Sequence, residues 1–365
     1  MAKKAAKNPG EPSGLDQLKN DLKTGQYGRL YLFHGEEHYL RDHYLEMLRK
    51  KLLDGPAEEF NYHRFTQENM DLQALADAVE AMPMMAEHTL VQVDDYDLSR
   101  LSEGSRETLA GILSDIPDYC TVVFVFGTVA FKYDARWKKL KEALDRGVTV
   151  EFARQSPREL NSWIRKHFLA AGKDISDQLS EYLTFLTGGT MAALGAEIEK
   201  IAAYASGREV TRQDIDSVVT PVLDAEIFDI TDAIANGDYE TALRKLRTLI
   251  QMQQDPILLL AAIGSQMRRL LYARICMAAG KGDAALGEML KAASGRAPHP
   301  YVLQKTMTTA RRVTDRFCQA AVKLCYEADC QLKGFSAGGQ RGSAADGQRT
   351  LELLLLTLAQ EARRD

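Results

Sequence analysis

A chain of 365 residues with 45% hydrophobic and 27% charged side chains has room for two or three domains and a sizeable core. Its net charge of −5 argues against a protein that coats nucleic acid by bulk electrostatics, so any such contact is expected to be local. Five cysteines without a C-x-x-C pair argue against disulfides or thiolate zinc and for a reducing, cytoplasmic setting; no apolar run approaches the ~20 residues of a membrane helix.

In chain order, Met1 to Gly14 is basic and has no apolar segment of the signal-peptide kind, so residues 1–14 are expected to be a disordered tail. Leu15, Leu18 and Leu22 mark a short helix leading into an apolar strand, Leu30 to Phe33. That strand breaks at Gly35 and gives way to a helix, Leu40 to Leu53, which is the layout of a phosphate-binding loop. A working loop ends in Gly-Lys-Ser/Thr, whose backbone, ammonium and hydroxyl hold phosphates and magnesium. Counted from Gly35, those places hold Leu40, Arg41 and Asp42, which reads as a nucleotide framework that has lost its nucleotide. An ordinary strand-to-helix turn is the plainer alternative.

Further strands are expected at Asn61 to Phe65, Thr89 to Asp95, Thr121 to Phe126 and Val148 to Phe152, with helices between them. Asn69 is positioned to cap the helix carrying Leu72, Leu75 and Val79, and Trp137 to Leu144 reads as a basic amphipathic helix. Strands alternating with helices predict a parallel five-stranded sheet covered on both faces, spanning residues 15–155. Beyond Ser156-Pro157 only helical spacing remains, predicting a helical domain over 156–220, with Thr211 as a cap, and a second over 221–365. There the longest helix is expected from Thr308 to Lys333, followed by a Gly/Ser/Gln-rich loop, Ser336 to Thr350, and a closing helix, Leu351 to Leu358.

An α/β nucleotide-type domain, a small helical lid and a helical third domain resemble an AAA+ clamp-loader subunit, in particular the delta-subunit family of bacterial DNA polymerase III. The degenerate loop at Gly35 to Asp42, Gly189-Thr190-Met191-Ala192, Glu226-Ile227-Phe228-Asp229 and Asp329 to Gly334 carry the likeness from about Leu30 to the end. The resemblance places Asp94 and Asp95 where an AAA+ ATPase keeps its metal-binding and water-activating acids, and Ala192 where an active relative has a phosphate-sensing arginine. It implies no bound cofactor and no intrinsic enzymatic activity, ATP being held by partner subunits. It further implies a collar formed by the third domain with tau or gamma ATPase subunits and delta-prime, and primer-template DNA within the complex.

The resemblance also places a small apolar pair that plugs a pocket of the ring-shaped sliding clamp at Met84 and Met85, where the family commonly has leucine and phenylalanine. Core filling is the bland explanation for these methionines; Pro83 argues for exposure, because it leaves the next two side chains on a turn. Lys132, Arg136, Lys138, Lys139 and Lys141, and likewise Arg268, Arg269, Arg274, Arg311, Arg312 and Arg316, are either solvated helix faces or phosphate contacts. His34, His38 and His43 are the one close histidine set, and no metal is expected. The resulting expectation is a non-catalytic clamp-loader subunit that binds and opens the sliding clamp during DNA replication. A divergent P-loop NTPase and a helical adaptor of another replication or repair complex are the competing readings.

Overall fold

The structure, a computed structural model, describes residues 13–53, 58–134, 136–295, 298–333 and 344–362. It divides into two compact units, Met1–Gln155 and Ser156–Asp365. In the first, the strands are β1 (Leu30–His34), β2 (Tyr62–Phe65), β3 (Thr89–Asp94), β4 (Cys120–Val125) and β5 (Val148–Glu151). The helices are α1 (Gly14–Thr24), α2 (His38–Leu52), α3 (Glu58–Asn61), α4 (Leu72–Glu80), α5 (Glu103–Ser114) and α6 (Lys138–Asp145).

All five strands are parallel, in the order β2-β3-β4-β1-β5. Strands β1 and β4 are neighbours, in register from Leu30↔Val122 to Phe33↔Val125. Alternation along β1 separates two cores. Leu30 and Leu32 face Leu75, Leu109 and Leu140 of α4, α5 and α6, whereas Tyr31 and Phe33 face Leu18 and Leu48 of α1 and α2. The strands read as near-continuous apolar runs because both faces are covered.

The second unit is helical. Helices α7 (Pro157–Ala170), α8 (Asp177–Thr187), α9 (Met191–Tyr204) and α10 (Arg212–Val218) pack on one another. Thr211 caps α10 through a capping box with Asp214, as expected from sequence. A further set follows: α11 (Leu223–Ala235), α12 (Tyr239–Gln251), α13 (Pro256–Ala278), α14 (Asp283–Ser294), α15 (Pro300–Ala310), α16 (Asp315–Leu332) and α17 (Ala344–Ala362). Its core surrounds α13, where Leu260, Ile263, Met267 and Leu270 meet Ala321, Cys325, Leu351 and Leu355. Burial pushes the Cys120 thiol up to about 11 and the Cys325 thiol up to about 12, so both behave as small core residues.

Four local expectations are corrected. The cap of α4 is Asp71, which accepts from Gln73 N and Ala74 N; Asn69 instead accepts from Thr66 N and closes a turn. The run from Thr308 to Lys333 is two helices, interrupted at residues 311–314, and the longest helix is α13 at 23 residues. Apolar spacing continues across that break, but the Thr314 hydroxyl accepts from Phe317 N and starts a new helix. Of the loop expected from Ser336 to Thr350, residues 336–343 lie outside the described residues, whereas 344–350 are the first turns of α17. Their Gly/Gln composition hides a helix set by the buried Leu351, Leu354, Leu355 and Leu358.

The tail expected over 1–14 is shorter at its inner end. Ser13 caps α1 and Gly14 is its first residue, while residues 1–12 lie outside the described residues. Helix α1 packs on edge strand β5, and a Cβ at Gly14 would collide with the Thr149 carbonyl. Gly14→Ala is therefore expected to push α1 off β5 and cost about 1–3 kcal/mol in urea denaturation, the usual scale for overpacking. An unchanged midpoint would show that α1 does not brace this edge.

Candidate functional site

The loop after β1 is short. Gly35 has φ +129°, and a Cβ there would strike the Phe152 carbonyl, whose oxygen accepts from Glu37 N at 2.9 Å. Because α2 begins at His38, Leu40, Arg41 and Asp42 lie in its first turns. Leu40 packs into the core beneath α2. Arg41 is 9% exposed; its Nη1 lies 3.4 Å from the Phe126 carbonyl oxygen, and its Nε and Nη2 bind Asp42 Oδ1 at 2.9 and 2.8 Å. Its guanidinium thus links α2 to the end of β4, and Asp42 is held as its counter-charge.

Both acids at the end of β3 are engaged as well. Asp94 accepts from Arg64 Nε and Gln92 Nε2, each at 2.7 Å. Asp95, in a left-handed conformation with φ 51°, accepts from the backbone N–H groups of Gly127, Thr128 and Val129 and from the Thr128 hydroxyl. Burial raises this carboxyl's pKa, but these four hydrogen bonds outweigh it and hold the group below the ordinary carboxylate range. Glu37 moves the other way: burial lifts its carboxyl, only partly opposed by Arg154. Ala192, the second residue of α9, is exposed. His34 packs tilted against Phe131, and His43 stacks on Tyr39. Among the described residues no group of three or more His, Cys, Asp or Glu is placed to hold a metal ion.

A different kind of site lies at the opposite end of the sheet, in the segments that enter β2 and β3. Helix α4 stops at Glu80, whose carbonyl accepts from the Tyr119 hydroxyl at 2.9 Å. Pro83 is half-buried, Met84 is 53% exposed and Met85, left-handed at φ 54°, is 89% exposed. The core-filling explanation for these methionines is therefore wrong. Holding the turn is Asn61, itself 1% exposed: its Oδ1 accepts from Met84 N at 2.7 Å and its Nδ2 donates to Met84 O at 2.9 Å. His88, edge-on to Tyr27, fixes the far end. Sequence reasoning missed Asn61, which looked like the first residue of a strand.

The basic cluster is partly spent within the unit. Arg136 pairs with Asp134 at 2.6 Å, Lys139 with Glu107 at 2.9 Å and Lys141 with Asp145. Lys132 and Lys138 are exposed, with no ion pair among the described residues. In the second unit Arg274 pairs with Asp315, and Arg312 binds Asn236 and Asp232.

These contacts make Asp95 a structural acid. Asp95→Ala leaves three backbone amides unpaired and is expected to cost about 2–4 kcal/mol at neutral pH. Since the folded pKa is depressed, the stabilisation is full above the unfolded carboxylate pKa and fades as pH falls through the folded value. Urea denaturation at pH 7 and pH 3 should thus show a wild-type advantage that shrinks in acid; an advantage unchanged in acid would contradict this role.

Comparison with known proteins agrees with this architecture. A sequence model of the DNA polymerase III delta subunit matches residues 31–152, and one of that subunit's C-terminal domain matches 224–357. The DNA polymerase III subunit delta of Bacillus subtilis is 27% identical over 346 residues, 92% of this chain and 94% of that protein. The probable DNA polymerase III subunit delta of Aquifex aeolicus is 24% identical over 250 residues, 66% of this chain and 69% of that protein. The solved Bacillus subtilis DNA clamp loader delta protein aligns over 94% of this chain and 99% of its own, with TM-score 0.56 and 24% identity, a likeness of fold. With both halves matched by models of one subunit, in the same order, the chain belongs to the DNA polymerase III delta subunit family.

Proposed function

We propose that this chain is a non-catalytic clamp-loader subunit that binds one protomer of a sliding clamp through Met84 and Met85 and helps to open the ring. The observation that carries this reading is the anchored loop itself. Two large apolar side chains are exposed to solvent on a turn whose backbone is bonded at Met84 by a buried asparagine. Methionine is unbranched and polarisable and fits an irregular apolar pocket. A subunit of this kind opens a ring by binding the open shape better than the closed one. Residues 156–220 would serve as the lid domain, and residues 221–365 as the collar shared with tau or gamma ATPase subunits and delta-prime. Lys132 and Lys138, unlike their paired neighbours, remain available to primer-template phosphates.

ATP would enter through those neighbours. The reading as a divergent NTPase is disfavoured because Arg41, Asp94 and Asp95 are occupied by partners within the chain. Burial of two methionines yields roughly 3–6 kcal/mol, whereas nanomolar binding takes about 12 kcal/mol. The pair is an anchor, and further contacts must complete the interface.

Binding of the purified chain to the cognate sliding clamp, without nucleotide, tests this directly. Wild type is expected to bind, and Met84→Ala/Met85→Ala to lose about 100-fold or more, the lower end of that burial energy, with an unchanged circular dichroism spectrum. Equal binding by both would place the contact elsewhere, and no binding by wild type would remove the clamp-loader reading.

A further inference from the structure

The loop is not the whole of the exposed apolar surface on the first unit. Phe60, the third residue of α3, is 63% exposed and packs into neither of the two cores described above. Among the described residues of this unit, every large apolar side chain more than half exposed lies on two segments, Phe60 on one and Met82, Met84 and Met85 on the other. Single exposed apolar residues are ordinary, but confinement of all of them to two neighbouring segments is the mark of a docking surface.

The segments are tied together by the residue next to Phe60. Asn61 makes two hydrogen bonds to the Met84 backbone, so α3 and the methionine turn are held in fixed register. The other end of α3 is braced by Glu58, which accepts from Arg49 Nε at 2.7 Å, while the Arg49 guanidinium lies 4.5 Å from the Tyr62 ring centroid. Phe60 therefore projects from a backbone secured on both sides. A rigid aromatic loses little rotamer freedom on binding, and aromatic anchors are frequent among the residues that dominate interfaces.

We infer that Phe60 is a third anchor of the docking surface, entering a second apolar depression of the same partner that receives Met84 and Met85. This rests on the clamp-binding reading above and supplies part of the contact that two methionines leave unfilled. The partner is thereby specified as a surface with two apolar depressions, matching two segments whose spacing Asn61 fixes.

The test measures affinity for the cognate sliding clamp, with thermal melting alongside, for wild type, Phe60→Ala, Phe60→Leu, Met84→Ala/Met85→Ala and Met252→Ala. Met252 is an apolar residue of the second unit that is 65% exposed, and serves as the control. Phe60→Ala is expected to weaken binding about ten-fold or more, as interface aromatics do, at an unchanged melting temperature. Phe60→Leu should retain more affinity, and Met252→Ala all of it. If Phe60→Ala binds within about two-fold of wild type while the methionine variant is weakened, the third anchor is wrong and the docking reading stands. If wild type itself fails to bind, both fall.

Discussion

Two hydrogen bonds between the Asn61 side chain and the Met84 backbone hold the turn that presents Met84 and Met85 to solvent. A buried amide that both donates and accepts substitutes for a strand neighbour, and gives a turn outside the sheet the pairing a strand would have. The turn needs that support. Met85 sits in left-handed backbone, which costs a non-glycine residue about 1–2 kcal/mol, and its side chain has no core to enter. Order that is present before binding does not have to be imposed during it.

The sheet separates this surface from the loops that follow β1, β3 and β4. In a parallel sheet all strands start at one end, so the segments entering β2 and β3 lie opposite the loops that follow β1, β3 and β4. At the latter end the chain closes the space with its own groups: Arg41 ties α2 to β4, and Asp95 ties β3 to the turn after β4. Arg41, Asp94 and Asp95 are thus engaged in contacts that hold strand ends together. A framework stabilised in this way is held together by contacts within the chain.

Much of this was legible in the sequence, for reasons that also mark its limits. Apolar runs such as Leu30–Phe33 and Thr121–Phe126 announce strands buried on both faces. Pro83 correctly signalled that Met84 and Met85 are turned outward. Asn61 and Phe60 left no such signal, because a side chain bonding backbone 23 residues away has no local pattern. The interruption at 311–314 was hidden because helical periodicity runs through it, and the start of α17 because composition outweighed the leucines downstream. The basic cluster looked stronger than it is because Glu107, on a different helix, neutralises Lys139.

Amide hydrogen exchange at Met84 in the free protein tests the central claim most directly. A loop built in advance by Asn61 predicts that this N–H exchanges at least about 100-fold more slowly than in an unstructured peptide, although its side chain is exposed, and that Asn61→Ala abolishes the protection. Exchange of Met84 at the unstructured rate in the wild-type protein would mean that the turn is ordered only by its partner, and would contradict the account.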